Sequence, residues 1–158
     1  MSKHLKFFID GAWVDPVEPA LLDVIDPSTE EPFTTISIGS RADVDRAVAA
    51  AKAAFATFSV TDRAERLALL ERILAVYNER FEDIAQAVSR EMGAPLAFAR
   101  DSQAWAGRAH LEATTSACKN FEFSEQRGTT RIVKEPIGVC AFITPWNWPL
   151  NQIVCKVA

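Results

Sequence analysis

Short apolar runs separated by turn residues occupy the first quarter of the chain, a pattern typical of antiparallel strands. Residues 7–9 (Phe-Phe-Ile) and 12–14 (Ala-Trp-Val) flank Asp10-Gly11, a dipeptide that favours tight hairpin turns. A further extended run over residues 21–25 ends at the turn residues 26–29, and residues 32–36 continue in an irregular to extended style up to Gly39. The pattern predicts strands and turns for this part of the chain.

The apolar period then changes to steps of three and four, which predicts three helices. The first follows Ser40, with Asp43 placed for a capping box, and runs to Phe58. The second starts near Asp62 and ends at Gly93, with a possible break at residues 78–81. The third covers about residues 95–120. We expect the apolar stripe of each helix to face a core. The stripe of the first helix is Val44, Ala47, Val48, Ala51, Phe55 and Phe58, and that of the second is Leu67, Leu70, Ile73, Leu74, Tyr77, Phe81, Ile84, Val88 and Met92. The stripe of the third includes Trp105, Leu111 and Cys118.

The period changes again after Gly128. Residues 129–135 alternate in the manner of a strand, without an obvious partner strand in the chain. Residues 139–143 (Val-Cys-Ala-Phe-Ile) form a continuous apolar run, which favours a strand covered on both faces, as in parallel α/β sheets. Pro149 opens a helix. Residues 143–149 therefore connect a buried strand to a helix, the place where ligands bind in open α/β sheets.

Composition and charge narrow the class of protein. The chain has 158 residues, 49% of them hydrophobic and 24% charged, which is typical of one globular domain. A net charge of -4 and the lack of basic clusters interleaved with aromatic residues argue against a nucleic-acid partner. No apolar stretch approaches a membrane span, and Asp10 interrupts the N-terminal apolar run before it resembles a signal peptide. We expect a cytoplasmic protein.

Cysteine and histidine spacing indicates no metal site. The three cysteines are interpreted as buried structural thiols rather than reactive ones, and the two histidines are given no ligand role. These residues are Cys118, Cys140, Cys155, His4 and His110.

The connection Ile-Thr-Pro-Trp-Asn-Trp-Pro, residues 143–149, carries the candidate chemistry. Its two prolines fix their own φ angles and push the preceding residues toward extended geometry, so both tryptophan rings would point to one side and Asn147 to the other. A carboxamide held in this way can donate a hydrogen bond to a developing oxyanion. The alternative is a stiff turn in which Asn147 bonds a neighbouring backbone group, and spacing alone leaves both open.

Taken with Glu-Pro-Ile-Gly-Val at residues 135–139, this connection resembles the N-terminal portion of the NAD(P)-dependent aldehyde dehydrogenase superfamily. Residues 8–13, 26–31 and 91–95 are similar to further family segments, the last with substitutions at two positions. The resemblance implies an α/β fold, the N-terminal part of a Rossmann-like cofactor domain, with helices and a protruding two-stranded oligomerisation arm. Its domains would be residues 1–117 in the cofactor-binding domain, 118–138 as the arm, and 139–158 as the first buried strand and helix start of the sheet.

The same resemblance implies roles for individual residues. Asn147 would supply the side-chain half of the oxyanion hole, and Lys156 would lie near the active site on a proton path, although a solvated helix lysine is an equal alternative. NAD or NADP would be contacted by Ile143, Thr144, Pro145 and Trp146.

The implied activity is oxidation of an aldehyde to a carboxylic acid by a homodimeric or homotetrameric enzyme. The family's nucleophilic cysteine and general base would lie beyond residue 158, and one doubly buried strand cannot form a parallel sheet. We therefore expect an incomplete chain that is inactive alone. The alternatives are a non-catalytic module that binds a nucleotide or a subunit, and a CoA-acylating or phosphorylating aldehyde dehydrogenase.

Overall fold

The computed structural model describes residues 3–158, so Met1 and Ser2 of the N-terminal stretch considered above lie outside the described residues. The chain divides into two compact units, one ending at Phe58 and one beginning at Ser59. Within residues 3–158 the strands are β1 (Phe7–Ile9), β2 (Ala12–Val14), β3 (Leu21–Asp26), β4 (Glu31–Ser37), β5 (Ser124–Arg127) and β6 (Thr130–Val133). The helices are α1 (Arg41–Phe58), α2 (Arg63–Glu79), α3 (Phe81–Met92), α4 (Leu96–Phe98), α5 (Trp105–Asn120) and α6 (Pro149–Val157), with a π-helical segment (Ala99–Ala104) between α4 and α5 and a 3₁₀ turn at Lys3–Leu5.

The first unit consists of two antiparallel hairpins, β1–β2 and β3–β4, and helix α1. The β1–β2 turn has positive φ angles at Asp10 and Gly11, as the predicted tight turn requires. Helix α1 begins where Asp43 accepts hydrogen bonds from the Ser40 amide (2.9 Å), the Ser40 hydroxyl (2.8 Å) and the Val17 amide (2.9 Å). The amide of Ser40, and then that of Val17, lower the pKa of the Asp43 carboxyl.

The predicted core face of α1 is only partly right. The helix forms with the predicted bounds, but Val44, Val48 and Phe58 are exposed, and Asp43 is the residue of this helix that is buried. Periodicity identifies which residues of the helix form one apolar stripe. It cannot show whether a partner covers the stripe, and two small hairpins are too small to cover an 18-residue helix.

The second unit opens with α2 and α3, whose ends follow from local signals. The Asp62 carboxylate accepts from the Glu65 amide (2.8 Å) while the Glu65 carboxylate accepts from the Asp62 amide (2.9 Å), which is the predicted capping box. The helix breaks at Arg80, inside the predicted window, and α3 ends at Gly93 with φ 75°. These predictions are confirmed.

The third predicted helix is present over residues 96–120, but the π segment interrupts it. Leu111 is buried as predicted, whereas Trp105 is exposed and its prediction as a core residue is wrong. The buried positions of α5 are Gly107, Leu111 and Thr115, and Trp105 lies two residues out of phase with them. The core of this unit forms where Tyr77, Leu111 and Val154 meet, with a second cluster around Val88, Ala94 and Ala99.

Two predictions about strands need correction. Residues 139–143 form no strand and are exposed, because no other strand within residues 3–158 hydrogen-bonds to them. The second correction is that the strand predicted at residues 129–135 does have a partner in the chain: β6 pairs with β5 in an antiparallel hairpin. The fold of residues 3–158 is therefore mixed helix and strand, with three two-stranded antiparallel sheets.

The interpretation of the cysteines as buried is also wrong. Cys118 is half-buried, and Cys140 and Cys155 are exposed. Cys140 shares the exposure of the unpaired 139–143 run, and Cys155 lies on the outer face of α6, next to the buried Val154. Among residues 3–158 no helix is both long enough and apolar enough to cross a membrane. The described part of the chain likewise groups no three metal-ligating side chains in positions to hold an ion.

Candidate active site

The connection at residues 143–149 leads directly into α6. Pro149 lies in the first turn of this helix, where a backbone N–H has no intrahelical acceptor, so a proline costs no hydrogen bond. The Gln152 amide donates to the Trp148 carbonyl (3.0 Å), so the helix begins at the end of the Trp-Asn-Trp sequence. The predicted helix start is confirmed, and α6 gives residues 147 and 148 a rigid support on one side.

Asn147 combines an exposed side chain with a held backbone. Its carboxamide makes no hydrogen bond to any residue within 3–158, while its carbonyl accepts from the Gln103 side-chain amide (3.3 Å). The neighbouring Trp148 ring packs edge-on against Phe98, with ring centroids 5.7 Å apart and an interplanar angle of 79°. Trp146 is 80% exposed, so the two tryptophan rings do not both pack against the described part of the chain. One ring and one hydrogen bond hold the loop instead.

Helix α6 continues this contact along the π segment and α5. Leu150 packs so closely on Gly107 that a Cβ atom built there would lie 3.1 Å from the Leu150 Cβ. Asn151 Oδ1 lies 2.7 Å from His110 Nε2, a hydrogen-bonding distance. One helix turn later, Val154 joins the buried cluster of Tyr77 and Leu111. The whole of α6 is thereby fixed to one side of the helix before it.

Tyr77 supports the same side of that helix, since its hydroxyl and the Leu150 side chain both approach Gly107. Its hydroxyl donates to the carbonyl of Ala104, the last residue of the π segment, over 2.8 Å. Burial raises the pKa of this phenol to about 12, and the positive charge of Arg108 opposes the shift. The tyrosine therefore remains a neutral hydrogen-bond donor throughout the physiological range.

The predicted cofactor-contacting residues form an open stretch of backbone. Ile143 is 96% exposed and Pro145 is exposed, whereas Thr144 is partly buried. No hydrogen bond joins the backbone of residues 143–146 to another residue in the described part of the chain. Main-chain donors and acceptors there are accessible to a ligand.

Lys156 is exposed, and its amine donates to the Gln152 carbonyl (3.0 Å) and the Gln152 side-chain oxygen (2.8 Å). It lies nearly two turns along α6 from Pro149, and no hydrogen bond among residues 3–158 connects it to Asn147. The structure brings Asn147 and residues 143–146 together on one loop and leaves Lys156 on the helix that follows.

Two residues that support this loop and the helix after it were not predicted from the sequence. Gln103 is a polar residue only 1% exposed, and His110 contacts α6. Gln103 lies four residues before Gly107 and eight before Leu111, so its place on the buried helix stripe could have been read from the sequence.

Comparison with known proteins gives the following similarities. Residues 13–158 match the model of the aldehyde dehydrogenase family. A 3-succinoylsemialdehyde-pyridine dehydrogenase from a Pseudomonas species is 46% identical over the whole of this chain and 33% of its own length. The chain thus spans about a third of the curated relatives that it matches.

Solved structures give the same result. An aldehyde dehydrogenase from Bartonella henselae is 44% identical with a TM-score of 0.91, over 94% of this chain and 32% of that one. A mutant of aldehyde dehydrogenase C from Pseudomonas syringae, complexed with NAD+ and octanal, is 46% identical with a TM-score of 0.94, over 96% of this chain and 31% of that one. A Mycobacterium tuberculosis aldehyde dehydrogenase complexed with NAD+ is 28% identical with a TM-score of 0.89.

Proposed function

The chain belongs to the aldehyde dehydrogenase family, and on that premise we propose that it is the N-terminal third of an enzyme that oxidises an aldehyde to a carboxylic acid with NAD or NADP. The coverage of about a third of each relative supports the first part of this proposal. The NAD+ and octanal complex of the Pseudomonas syringae enzyme supports the second.

The observation that carries the proposal is the exposure and hydrogen bonding of Asn147. Its carboxamide is exposed and makes no hydrogen bond within residues 3–158, while the backbone of the same residue is held by Gln103. A turn-stabilising asparagine would instead use its side chain on a nearby backbone group. An amide that is fixed at its base and has its donor free is suited to binding a developing negative charge.

In the proposed reaction a cysteine thiolate of the whole enzyme attacks the aldehyde carbon, and the carbonyl oxygen becomes an oxyanion. The Asn147 NH₂ group donates to that oxygen. Because the loop is already held by Trp148 and Gln103, the donor needs little rearrangement when the charge forms. A preorganised donor of this kind typically lowers the barrier by about 2.7–4 kcal/mol.

The residues of the loop fit a nicotinamide dinucleotide. Residues 143–146 present accessible backbone groups next to Asn147, which suits a ligand bound mainly through the main chain. A nicotinamide bound there would supply the acceptor for the hydride that leaves the thiohemiacetal carbon. Loss of the hydride collapses the oxyanion to a thioester, and water would then break its carbon–sulfur bond to give the carboxylic acid and the free thiol. Ile143 to Trp146 would hold and orient the nicotinamide.

We propose that none of the three cysteines is the nucleophile. The Cys140 thiol lies 3.8 Å from the Gly138 carbonyl, and the Cys155 thiol lies 3.6 Å from the Gln152 carbonyl and 3.8 Å from the Lys156 amine. No hydrogen bond within residues 3–158 joins either thiol to Asn147. Cys118 is half-buried near the end of α5. The 158-residue chain should therefore show no turnover alone.

The test is to express the chain and the whole reading frame that contains it, and to follow reduction of NAD and NADP with several aldehydes. Turnover by the chain alone would contradict the assignment of the nucleophile to another part of the enzyme. Analysis of the product, with and without added CoA, separates a carboxylic acid from a CoA thioester.

In the whole enzyme, Asn147→Ala should lower kcat by about a hundredfold or more, because a missing oxyanion donor has that effect. Asn78→Ala, at an exposed asparagine of α2, is the matched control and should leave kcat unchanged. An unchanged kcat in Asn147→Ala would show that the loop is only a scaffold.

The remaining assignments extend the proposal to the whole protein. Residues 1–117 and 139–158 would belong to the cofactor-binding domain, and residues 118–138 would form an oligomerisation arm of a homodimer or homotetramer in the cytoplasm. The β5–β6 hairpin supports this role, since its two strands pair only with each other among residues 3–158 and each has an unpaired edge. Lys156 would act near the active site on a proton path.

A further inference from the structure

Gln103 is a buried polar side chain with one partner in the described part of the chain. It is 1% exposed, and its amide nitrogen lies 3.3 Å from the Asn147 carbonyl oxygen. A carbonyl can only accept a hydrogen bond, so the nitrogen end of the Gln103 carboxamide must face it. The contact is thus directional: it requires an amide donor at this position.

This contact depends on the π segment. Phe98, which packs on Trp148, and Gln103, which bonds Asn147, are five residues apart. In a regular α-helix, residues five apart point about 140° away from each other. The wider π turn at Ala99–Ala104, with its i→i+5 hydrogen bonds, brings them toward the same side of the helix. Two adjacent loop residues can then rest on one helix.

Contacts near both ends of the π segment hold it in place. The Arg100 guanidinium donates to both carboxylate oxygens of Glu82 in α3, at 2.8 Å and 2.7 Å. This pairing lowers the pKa of the Glu82 carboxyl to about 2, so the pair stays charged at neutral pH. At the other end, Tyr77 donates to the Ala104 carbonyl. The position of Gln103 is therefore set by residues outside the loop.

We propose that Gln103 is a positioning residue for the oxyanion donor: its hydrogen bond to the Asn147 carbonyl fixes the direction in which the Asn147 carboxamide points. The inference rests on the function proposed for Asn147. Within residues 3–158 the bond from Gln103 is the only hydrogen bond that Asn147 makes, so losing this bond frees Asn147 to rotate between its neighbours. Polar residues that act through another group change the rate without contacting the substrate.

The test uses the whole enzyme and a double-mutant cycle on Gln103 and Asn147. Gln103→Met removes the donor and keeps the length of the side chain. We expect kcat to fall about tenfold, the effect of losing one neutral hydrogen bond, while KM for the aldehyde changes less than about twofold. Lys52→Met, which places the same side chain at an exposed position of α1, is the control and should leave kcat unchanged.

The decisive measurement is the effect of Gln103→Met when Asn147 is already alanine. If Gln103 acts through the Asn147 carboxamide, the second substitution should then lower kcat less than about twofold. The full tenfold loss in that background would show that Gln103 acts independently, and would overturn the inference. Should Gln103→Met fail to fold, Gln103→Asn, whose amide is one methylene too short to reach, should give the same pattern.

The outcomes separate the two proposals. An unchanged kcat in Asn147→Ala overturns the proposed role of the loop. A large loss in Asn147→Ala with an unchanged kcat in Gln103→Met overturns only the positioning role.

Discussion

Tyr77 permits a direct test of the packing beneath the candidate site, and the perturbation is a rise in pH. The residue is 8% exposed, and its hydroxyl is bonded to the Ala104 carbonyl. Burial raises the pKa of the phenol from its ordinary value of 10.0 to about 12 in the folded chain. In the unfolded chain the phenol would ionise near its ordinary value.

The sign and size of the effect follow from this difference. Because the folded-state pKa is the higher one, the folded chain holds its proton between about pH 10 and 12 while the unfolded chain has lost it. The stabilisation is fully present below pH 10 and is lost as the pH rises to about 12. One pKa unit corresponds to about 1.4 kcal/mol, so the free energy of unfolding should fall by up to roughly 3 kcal/mol across this window.

The assay is made simple by composition, since Tyr77 is the only tyrosine in the chain. The ultraviolet absorbance of tyrosinate therefore reports its ionisation without overlap from another tyrosine. We expect a midpoint near 12 in the folded chain and near 10 in denaturant. Urea unfolding of Tyr77→Phe should lack this alkaline loss, although at neutral pH the variant should be about 1 kcal/mol less stable because the Ala104 carbonyl loses its donor.

A midpoint near 10 in a chain whose circular dichroism still shows full helix content would refute this reasoning. It would mean that water reaches the Tyr77 hydroxyl in the folded state. The support beneath the π segment, and with it the fixed position of Gln103, would then be wrong.

Two further predictions concern packing and assembly. Gly107→Ala should destabilise the chain by about 1–3 kcal/mol in urea unfolding, because the new methyl group would overlap the Tyr77 hydroxyl and crowd Leu150; unchanged stability would show that α5 and α6 pack more loosely. Val133→Lys, on the exposed face of β6, should shift the whole enzyme to a smaller species in sedimentation velocity, while Thr129→Lys at the turn serves as the control. An unchanged sedimentation coefficient for Val133→Lys would contradict an oligomerisation role for this face.

The elements that the sequence predicted well are those whose ends are determined locally. Asp62 and Glu65 satisfy each other's backbone amides, and Gly93 adopts the left-handed conformation that ends α3. Both effects involve residues a few positions apart, so the sequence contains all the information needed. The break at Arg80 also falls in the predicted window, although it was expected from the length of the helix, and no side-chain hydrogen bond caps α3 there.

The strand predicted at residues 139–143 shows the opposite case. An apolar run favours a buried strand, but a strand also needs a neighbour for its backbone hydrogen bonds. No segment within residues 3–158 provides that neighbour, so Ile143 is almost fully exposed. The local composition predicts a preference for a strand, and neighbouring strands would be needed to satisfy that preference.

The candidate site was predicted in part. The prolines around Asn147 made its amide conspicuous from the sequence alone, and the helix start at Pro149 is where it was expected. The contribution of Gln103 was not predicted, since the π segment depends on contacts from Tyr77 and Glu82, which are distant in sequence. A glutamine on a buried stripe was the available signal.

The π segment also determines how the gene can change at this point. Deleting one codon among residues 99–104 would return the turn to α geometry and keep the chain helical. If the deleted residue lies between Phe98 and Gln103, these two would become four α-helical residues apart, about 40° around the helix axis, so Phe98 would still face Trp148. Circular dichroism would register almost no difference. The π turn is therefore a place where the chain can lose one residue and keep both loop contacts, whereas a one-residue deletion in the regular part of α5 would rotate one part of the helix by about 100° relative to the other. Single-residue gaps in alignments of relatives should accordingly be placed at this turn.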